Sequence, residues 1–364
     1  MERGYAIGLV VSAAYLLSGS KLRAQERLLP APPAGVQTSR DYGIDFVTVN
    51  PTGQAVQPYT VPHELNPFGD DPRYVDRPIG NVPYAFRMAR TEVTTGQYLD
   101  FVNLAWRMNP QNRYAIEPAF WGGRLVQDSP DNMRWELDPN IPNAADVPIF
   151  GMGWRQAAWF CNFLQNGRQN DLTTLTHGAY DSSTFGEDGI HFTDQLTRSP
   201  GAQYWIPSID EWAMAGFYDP NRNGQGQGGW WHYGTGSDTF PVYGPPGVPG
   251  NEANAIWEGT NFSEFLVPVG SYEPQSPWGL FDVAGGVTEL TEGVSPIGYP
   301  RFRWAVGSSA GDAGGVDFLG SVLTVFPGSA GYGLRIASAV PSPSAAMLFV
   351  VAGWFRSRTH RRPR

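Results

Sequence analysis

Apolar residues recur with a helical period in three stretches of the chain. Elsewhere they fall into short runs broken by glycine and proline. In the first stretch Tyr98, Phe101, Val102 and Ala105 stand at i, i+3, i+4 and i+7, the spacing of one helix face. Thr94 and Gln97 precede them at the spacing of a capping box, in which each side chain satisfies a backbone N–H at the helix start. Asn109-Pro110 ends the run. The second stretch covers Trp154 to Asn166, with Ala157, Phe160, Cys161 and Leu164 on one stripe and Gly167 placed for a left-handed C-terminal stop. The third follows Ser208, which forms a second capping box with Glu211, while Asp210 and Glu211 complement the helix dipole. Trp212, Ala215 and Gly216 face inward, and Asp219-Pro220-Asn221 stops this helix. Tyr84 to Met88 alternates and predicts a strand, and the Gly- and Gln-rich run Asn223 to Gly229 predicts a mobile loop.

The two ends carry a different pattern. Ala6 to Leu17 is an apolar run of signal-peptide length, preceded by Arg3 and followed by the small residues Ser18-Gly19-Ser20, with Ala24 as a second cleavage candidate. Residues 1–24 are therefore expected to be a signal peptide, and residues 25–40, which include Leu28 to Gly35 (LLPAPPAG), a linker. A buried N-terminal strand or helix is the competing reading. At the other end Val340-Pro341-Ser342-Pro343-Ser344 leads into the apolar stretch Ala345 to Phe355, which is followed by five arginines. A short apolar helix with a basic stop makes sense as a transient membrane contact, positive side inside. Residues 339–364 form this tail, and no Pro-rich linker divides the body, 41–338, which reads as one domain.

Composition narrows the chemistry. The 364 residues include 44 Gly and 32 Pro, which argues against helix bundles, and 13% aromatic residues, which argues against disorder. A net charge of −9 gives no basic footprint for nucleic acid. Lys21 is the sole lysine, so the body holds no P-loop or Schiff-base lysine. Cys161 is the sole cysteine, which excludes intrachain disulfides, Cys-rich zinc sites and iron–sulfur clusters. Its place mid-helix on the apolar stripe makes it a core residue rather than an exposed nucleophile. The histidines are His63, His177, His191, His232 and His360, with no H-x-x-x-H pair. His177 and His191 flank an Asp- and Gly-rich loop, but scattered histidines of this kind are more often loop residues than metal ligands.

Five blocks then occur in a telling order: EVTTGQYLDFVN, PIFGMGWRQAAWFCNFL, YWIPSIDEWAMAGFYDPN, GLFDVAGGVTEL and YGLRIAS. Together they resemble the formylglycine-generating enzyme (sulfatase-modifying factor) family. The resemblance implies an α+β, loop-rich fold of short strands and few helices, a variant of the C-type lectin fold. The tail in turn resembles a PEP-CTERM sorting signal, with Ser342 where that family usually has Glu. This implies export across the inner membrane, an exosortase-type sorting machinery as partner, and a final place on the membrane, the cell surface or in the extracellular matrix.

The family enzyme uses two copper-binding cysteines just after an RGGSW-type segment, which maps onto Arg303 to Ser309. The two positions fall near Gly311 and Val316, and no cysteine follows residue 161. Cuprous ion needs thiolate or comparable ligands, so copper and formylglycine generation are not expected. The resemblance also implies calcium at Asp282, Gly285, Val287 and Glu289, and more loosely at Asn254, Ala255, Asn261 and Ser263. A hydrogen-bonded turn without an ion is the alternative at the first of these. Gly286 replaces the family's usual Asn, and Thr288 and Leu290 replace two Trp.

Two functions follow as expectations. One is an exported, non-catalytic binding or structural module that recognises extracellular polysaccharide or protein, with Trp230, Trp231, Tyr233 and Tyr243 as candidate contact residues. The other is an enzyme of unknown reaction, oxidoreductase or non-haem metal type, that uses the same cleft. Ser308 and Ser309 would line that cleft, but no matched histidine accompanies them. A hypervariable receptor of the same fold is set aside, because Gly307 to Gly331 contains no Asn.

Overall fold

The run Ile44–Val49 is apolar at four of its six positions and Phe86–Ala89 is buried throughout, as inner strands of a covered sheet require. They lie within a five-stranded antiparallel sheet in the order Thr38–Asp41, Ile44–Val49, Phe86–Ala89, Ala337–Ser338, Tyr204–Trp205. Phe46 pairs with Ala89, and Ala337 sits between Met88 and Trp205. The end of the body thus closes the sheet that its beginning opens. The computed structural model describes residues 28–52, 56–60, 78–109, 116–129, 132–255, 262–294, 302–312 and 316–341. The expected signal peptide, most of the tail, His63, His360 and Asn261 lie outside these residues.

The three helices form where the apolar period placed them. α1 spans Thr95–Ala105 and α3 spans Ile209–Phe217, and both carry the expected capping boxes, Thr94 with Gln97 and Ser208 with Glu211. α2 spans Trp154–Gln165, with the Gln156 side chain accepting from the Gly153 N–H and Gly167 left-handed at its end. α1 stops at Ala105, and a 3-10 turn over Trp106–Met108 leads to Asn109. α3 passes directly into the strand Tyr218–Asp219, which pairs with Gly229–Trp230. The loop between these strands is closed by its own side chains: Asn223 Nδ2 donates to the Gly228 carbonyl and the Gly226 N–H to Asn221 Oδ1.

A second sheet, Glu289–Val294, Arg303–Val306 and Leu323–Val325, carries the family-like loop into the core. One hydrophobic cluster joins both sheets and all three helices. Among the described residues two arginines are fully buried against it. Arg303 lies over the Trp154 ring at 3.6 Å, and Arg335 is held by Glu289. The expected linker is partly structured: its last residues begin the strand Thr38–Asp41, and the Pro30 carbonyl accepts from Arg90 Nη2. Among the described residues no helix is long and apolar enough to cross a membrane.

Candidate functional site

The loop from Asp282 to Glu289 enters the strand Glu289–Val294 through two left-handed glycines, Gly285 (φ 75) and Gly286 (φ 74). Both are forced by close approach. A Cβ on Gly285 would lie 2.3 Å from the Asn254 carbonyl oxygen, and one on Gly286 would lie 2.3 Å from Glu92 Oε1. The Gly286 N–H donates to the Asn254 carbonyl and the Val287 N–H to Glu92 Oε1. Glu92 therefore explains why glycine stands at 286. Burial, with Asp282 nearby, pushes the Glu92 carboxyl well above its ordinary range.

Glu289 receives Arg335 Nη2 at 2.6 Å and Nε at 2.9 Å on one oxygen, and Trp212 Nε1 on the other. Asp282 Oδ2 accepts from the Gly270 N–H at 2.6 Å. The four residues Asp282, Gly285, Val287 and Glu289 are thus brought together on one loop, with a buried guanidinium as the counter-charge. Asn254 and Ala255 lie directly against this loop, since Asn254 pairs with Gly285. The Asn254 amide Nδ2 donates to the Glu264 carbonyl, while its Oδ1 is buried with no hydrogen-bond partner among the described residues. Ser263 is exposed on the short turn Phe262–Leu266, and the neighbouring buried carboxylate is Glu264, which the sequence reading passed over.

The region around Gly311 and Val316 is built around Asp317. Its Oδ1 accepts from the Ser308 N–H at 2.7 Å and its Oδ2 from Ser308 Oγ at 2.6 Å and from the Tyr243 hydroxyl. Burial raises this carboxyl, and the hydrogen bonds from Ser308 and Tyr243 partly offset the shift. Ser309 donates through N–H and Oγ to Asp312 Oδ2. Both serines are thus spent on carboxylates, and among the described residues no histidine is hydrogen-bonded to them. At Gly311 a Cβ would meet Phe265 Cζ at 2.8 Å. The Phe265 ring stacks on Phe120, with centroids 4.6 Å apart and planes 12° apart, and lies 4.7 Å from Phe150. An aromatic cluster therefore occupies the space a thiol at 311 would need. Cys161 lies elsewhere, buried in α2, and burial pushes its thiol well up.

A family model described as "Sulfatase-modifying factor enzyme 1-like domain" matches residues 67–311. The chain belongs to that family. The match ends at Gly311, yet the strands Leu323–Val325 and Ala337–Ser338 beyond it complete both sheets of the sulfatase-modifying factor domain. The chain is also similar to solved structures of CarF (22% identity, TM-score 0.47, covering 83% of this chain and 100% of CarF). It is similar as well to Treponema denticola variable protein 1 (15%, 0.45, 84% and 99%) and to PvdO from Pseudomonas aeruginosa (14%, 0.43, 85% and 100%). No curated protein sequence matches it. The α+β, loop-rich architecture is the one the sequence blocks implied.

The other candidates of this family member disperse. His177 pairs with Asp181 at 3.2 Å on the surface, His191 lies in the hairpin Glu187–Asp188/His191–Phe192, and His232 is 3.4 Å from the Tyr59 hydroxyl. Among the described residues no group of three or more His, Cys, Asp or Glu side chains could hold a metal ion. At the two positions onto which the family's copper-binding cysteines map, Gly311 and Val316 offer no donor side chain. The aromatic candidates are half-buried, and each has a partner within the chain. Trp230 Nε1 donates to the Gln57 carbonyl, Trp231 lies under Arg222 at 4.3 Å, Tyr233 meets Phe240, and Tyr243 holds Asp317. Asp317 and Phe265 were missed because each acquires its meaning from a partner far along the chain.

Proposed function

We propose that this sulfatase-modifying-factor-like domain is a non-catalytic binding or structural module rather than a formylglycine-generating enzyme. The observation that carries the reading is the Phe265 ring beside Gly311, in a chain whose one thiol is buried in a helix. The experiment incubates the full chain with cuprous ion, oxygen and a cysteine-containing sulfatase peptide, and quantifies aldehyde by mass spectrometry. No aldehyde is expected; its formation overturns the proposal.

The apolar run Ala6 to Leu17 and the tail from Val340 support export to the cell surface or extracellular matrix, with sorting by an exosortase-type machinery. Calcium is proposed at the Asn254 position, where a buried amide oxygen has no donor among the described residues and Ala255 lies alongside. A hard cation takes oxygen ligands of this kind. At Glu289 the Arg335 guanidinium already supplies positive charge, so Asp282, Gly285, Val287 and Glu289 form the less favoured position. Calorimetric titration with calcium is expected to give binding that Asn254→Ala weakens at least ~10-fold, the loss of one good ligand. Equal heats from both proteins remove the site.

A further inference from the structure

The first described residues lie along the body as a strap. Leu29 and Pro32 are half-buried, while Leu28, Pro30, Ala31 and Pro33 are exposed. That is the three-residue period of a polyproline II helix laid on a surface. The body makes room for it at two glycines. A Cβ on Gly270 would lie 2.6 Å from Leu29 Cδ2, and one on Gly279 would lie 2.7 Å from Pro32 Cβ. Prolines carry no N–H, so such a segment offers mainly carbonyls, and the body meets it with donors. Arg90 Nη2 donates to the Pro30 carbonyl at 2.8 Å, and Gln275 Nε2 donates to the Ala31 carbonyl at 3.2 Å. The Arg90 guanidinium also donates to the Gly279 carbonyl and to Gln275 Oε1, at 3.0 and 3.2 Å. The Val36 N–H donates to the Pro33 carbonyl and closes the turn that leads into the strand Thr38–Asp41.

The surface under this strap is the entry to the loop from Asp282 to Glu289. Gly270, beneath Leu29, gives its N–H to Asp282 Oδ2 at 2.6 Å. Phe281 precedes Asp282 in the chain. Its N–H donates to the Arg90 carbonyl at 2.7 Å, and its ring lies 5.2 Å from the Arg90 guanidinium. Asp282 itself has a left-handed backbone (φ 54), which persists where the surroundings enforce it. One arginine thus holds the strap with its side chain and the loop entry with its backbone. The seat is shallow all the same. Residues 29–33 join no strand, and only Leu29 and Pro32 among them are half-buried. Prolines have little backbone freedom to lose on seating, so few contacts hold the strap. A segment of this kind opens locally, well below the free energy of global unfolding. Arg90 keeps its bonds to Gly279 and Gln275 when the strap leaves, so the body need not unfold with it.

We propose that residues 29–33 are a releasable clasp that sets the entry to the loop from Asp282 to Glu289. Seated, the strap holds Gly270 and Phe281 in place on either side of Asp282. Detached, it frees both flanks while the core stays folded. Cleavage within residues 29–33, or their capture by another protein, would therefore loosen the loop. Hydrogen–deuterium exchange on the full chain, read by mass spectrometry, tests this. The double variant Leu29→Ser/Pro32→Gly removes both seated side chains, and Leu28→Ser, at a residue 87% exposed, is the control. In the double variant the amides of Gly270 and Phe281 are expected to exchange at least ~10-fold faster, the order set by losing a half-buried leucine. The amides of α2 should exchange as in the natural chain, and Leu28→Ser should change nothing. Unchanged exchange at Gly270 and Phe281, an equal rise across α2, or the same rise in Leu28→Ser overturns the proposal. Neither the aldehyde assay nor the calcium titration enters this readout, so the clasp and the binding-module reading stand or fall separately.

Discussion

Gly311 and Phe265 carry most of the functional argument, and they can be tested as a pair. A Cβ at 311 would press on the edge of a ring that is itself stacked on Phe120 and close to Phe150. Gly311→Cys is therefore expected to destabilise by about 1–3 kcal/mol through overpacking. Phe265→Ala removes the obstacle while costing stacking and burial of its own. In the double variant the thiol occupies space the ring has left, so the two costs should not add, and a coupling of about 0.5–3 kcal/mol is expected. Urea unfolding of the four proteins measures this. Additive costs would mean that the ring does not fill the thiol's place. Asp317 belongs to the same scale: it accepts two hydrogen bonds from Ser308 and one from Tyr243, so a carboxylate organises this loop.

At the level of elements, α3 shows how a cap becomes a junction. Ser208 Oγ accepts from the Glu211 N–H at 3.1 Å, an ordinary cap. Glu211 does more, because its carboxylate also receives Arg198 at 2.8 Å, the Tyr84 hydroxyl at 2.9 Å and Trp205 Nε1 at 3.1 Å. Ser208→Ala is expected to cost about 1 kcal/mol. Glu211→Ala leaves a buried network without its acceptor and is expected to cost about 3–5 kcal/mol. Denaturant midpoints separate the two, and equal losses would show that Glu211 is only a cap. The boxes at Thr94 and Ser208 were legible in the sequence because both partners lie within one helical turn. The strands Tyr204–Trp205 and Ala337–Ser338 were not, because two residues carry no period and their pairing with each other and with Phe86–Ala89 is purely long-range. The same rule divides the site. The loop Asp282 to Glu289 was readable as a local block, whereas Glu92, Glu264 and Asp317 become meaningful only once the chain has folded onto that loop.

Across the whole molecule, Arg198 ties the two sheets to α3. It bonds Glu211 on α3 and Glu292 on the second sheet, at 2.8 and 3.0 Å, and lies over the Trp205 ring of the first sheet at 4.1 Å. Glu292 also accepts from the Tyr180 hydroxyl at 2.7 Å. Burial pushes its carboxyl from 4.5 up to about 7, with Arg198 and the Tyr180 hydrogen bond opposing the rise and Glu211 adding to it. A carboxyl raised in the folded state binds more protons there than in the unfolded chain, so stability falls as pH rises between the two values. For Glu292 that window runs from about 4.5 to about 7, and the loss across it is at most about 3 kcal/mol. Glu92 and Asp317, raised by burial as well, act in the same direction. Glu292→Gln keeps an acceptor for Tyr180 and leaves Arg198 paired with Glu211, but it cannot titrate. Its urea midpoint is therefore expected to fall less steeply from pH 5 to 7 than that of the natural chain, with the remaining slope set by the other buried carboxyls. Identical slopes would mean that Glu292 stays ionised throughout, held so by the Arg198 charge. In that case the clasp between the sheets would be a permanent ion pair rather than one made by sharing a proton.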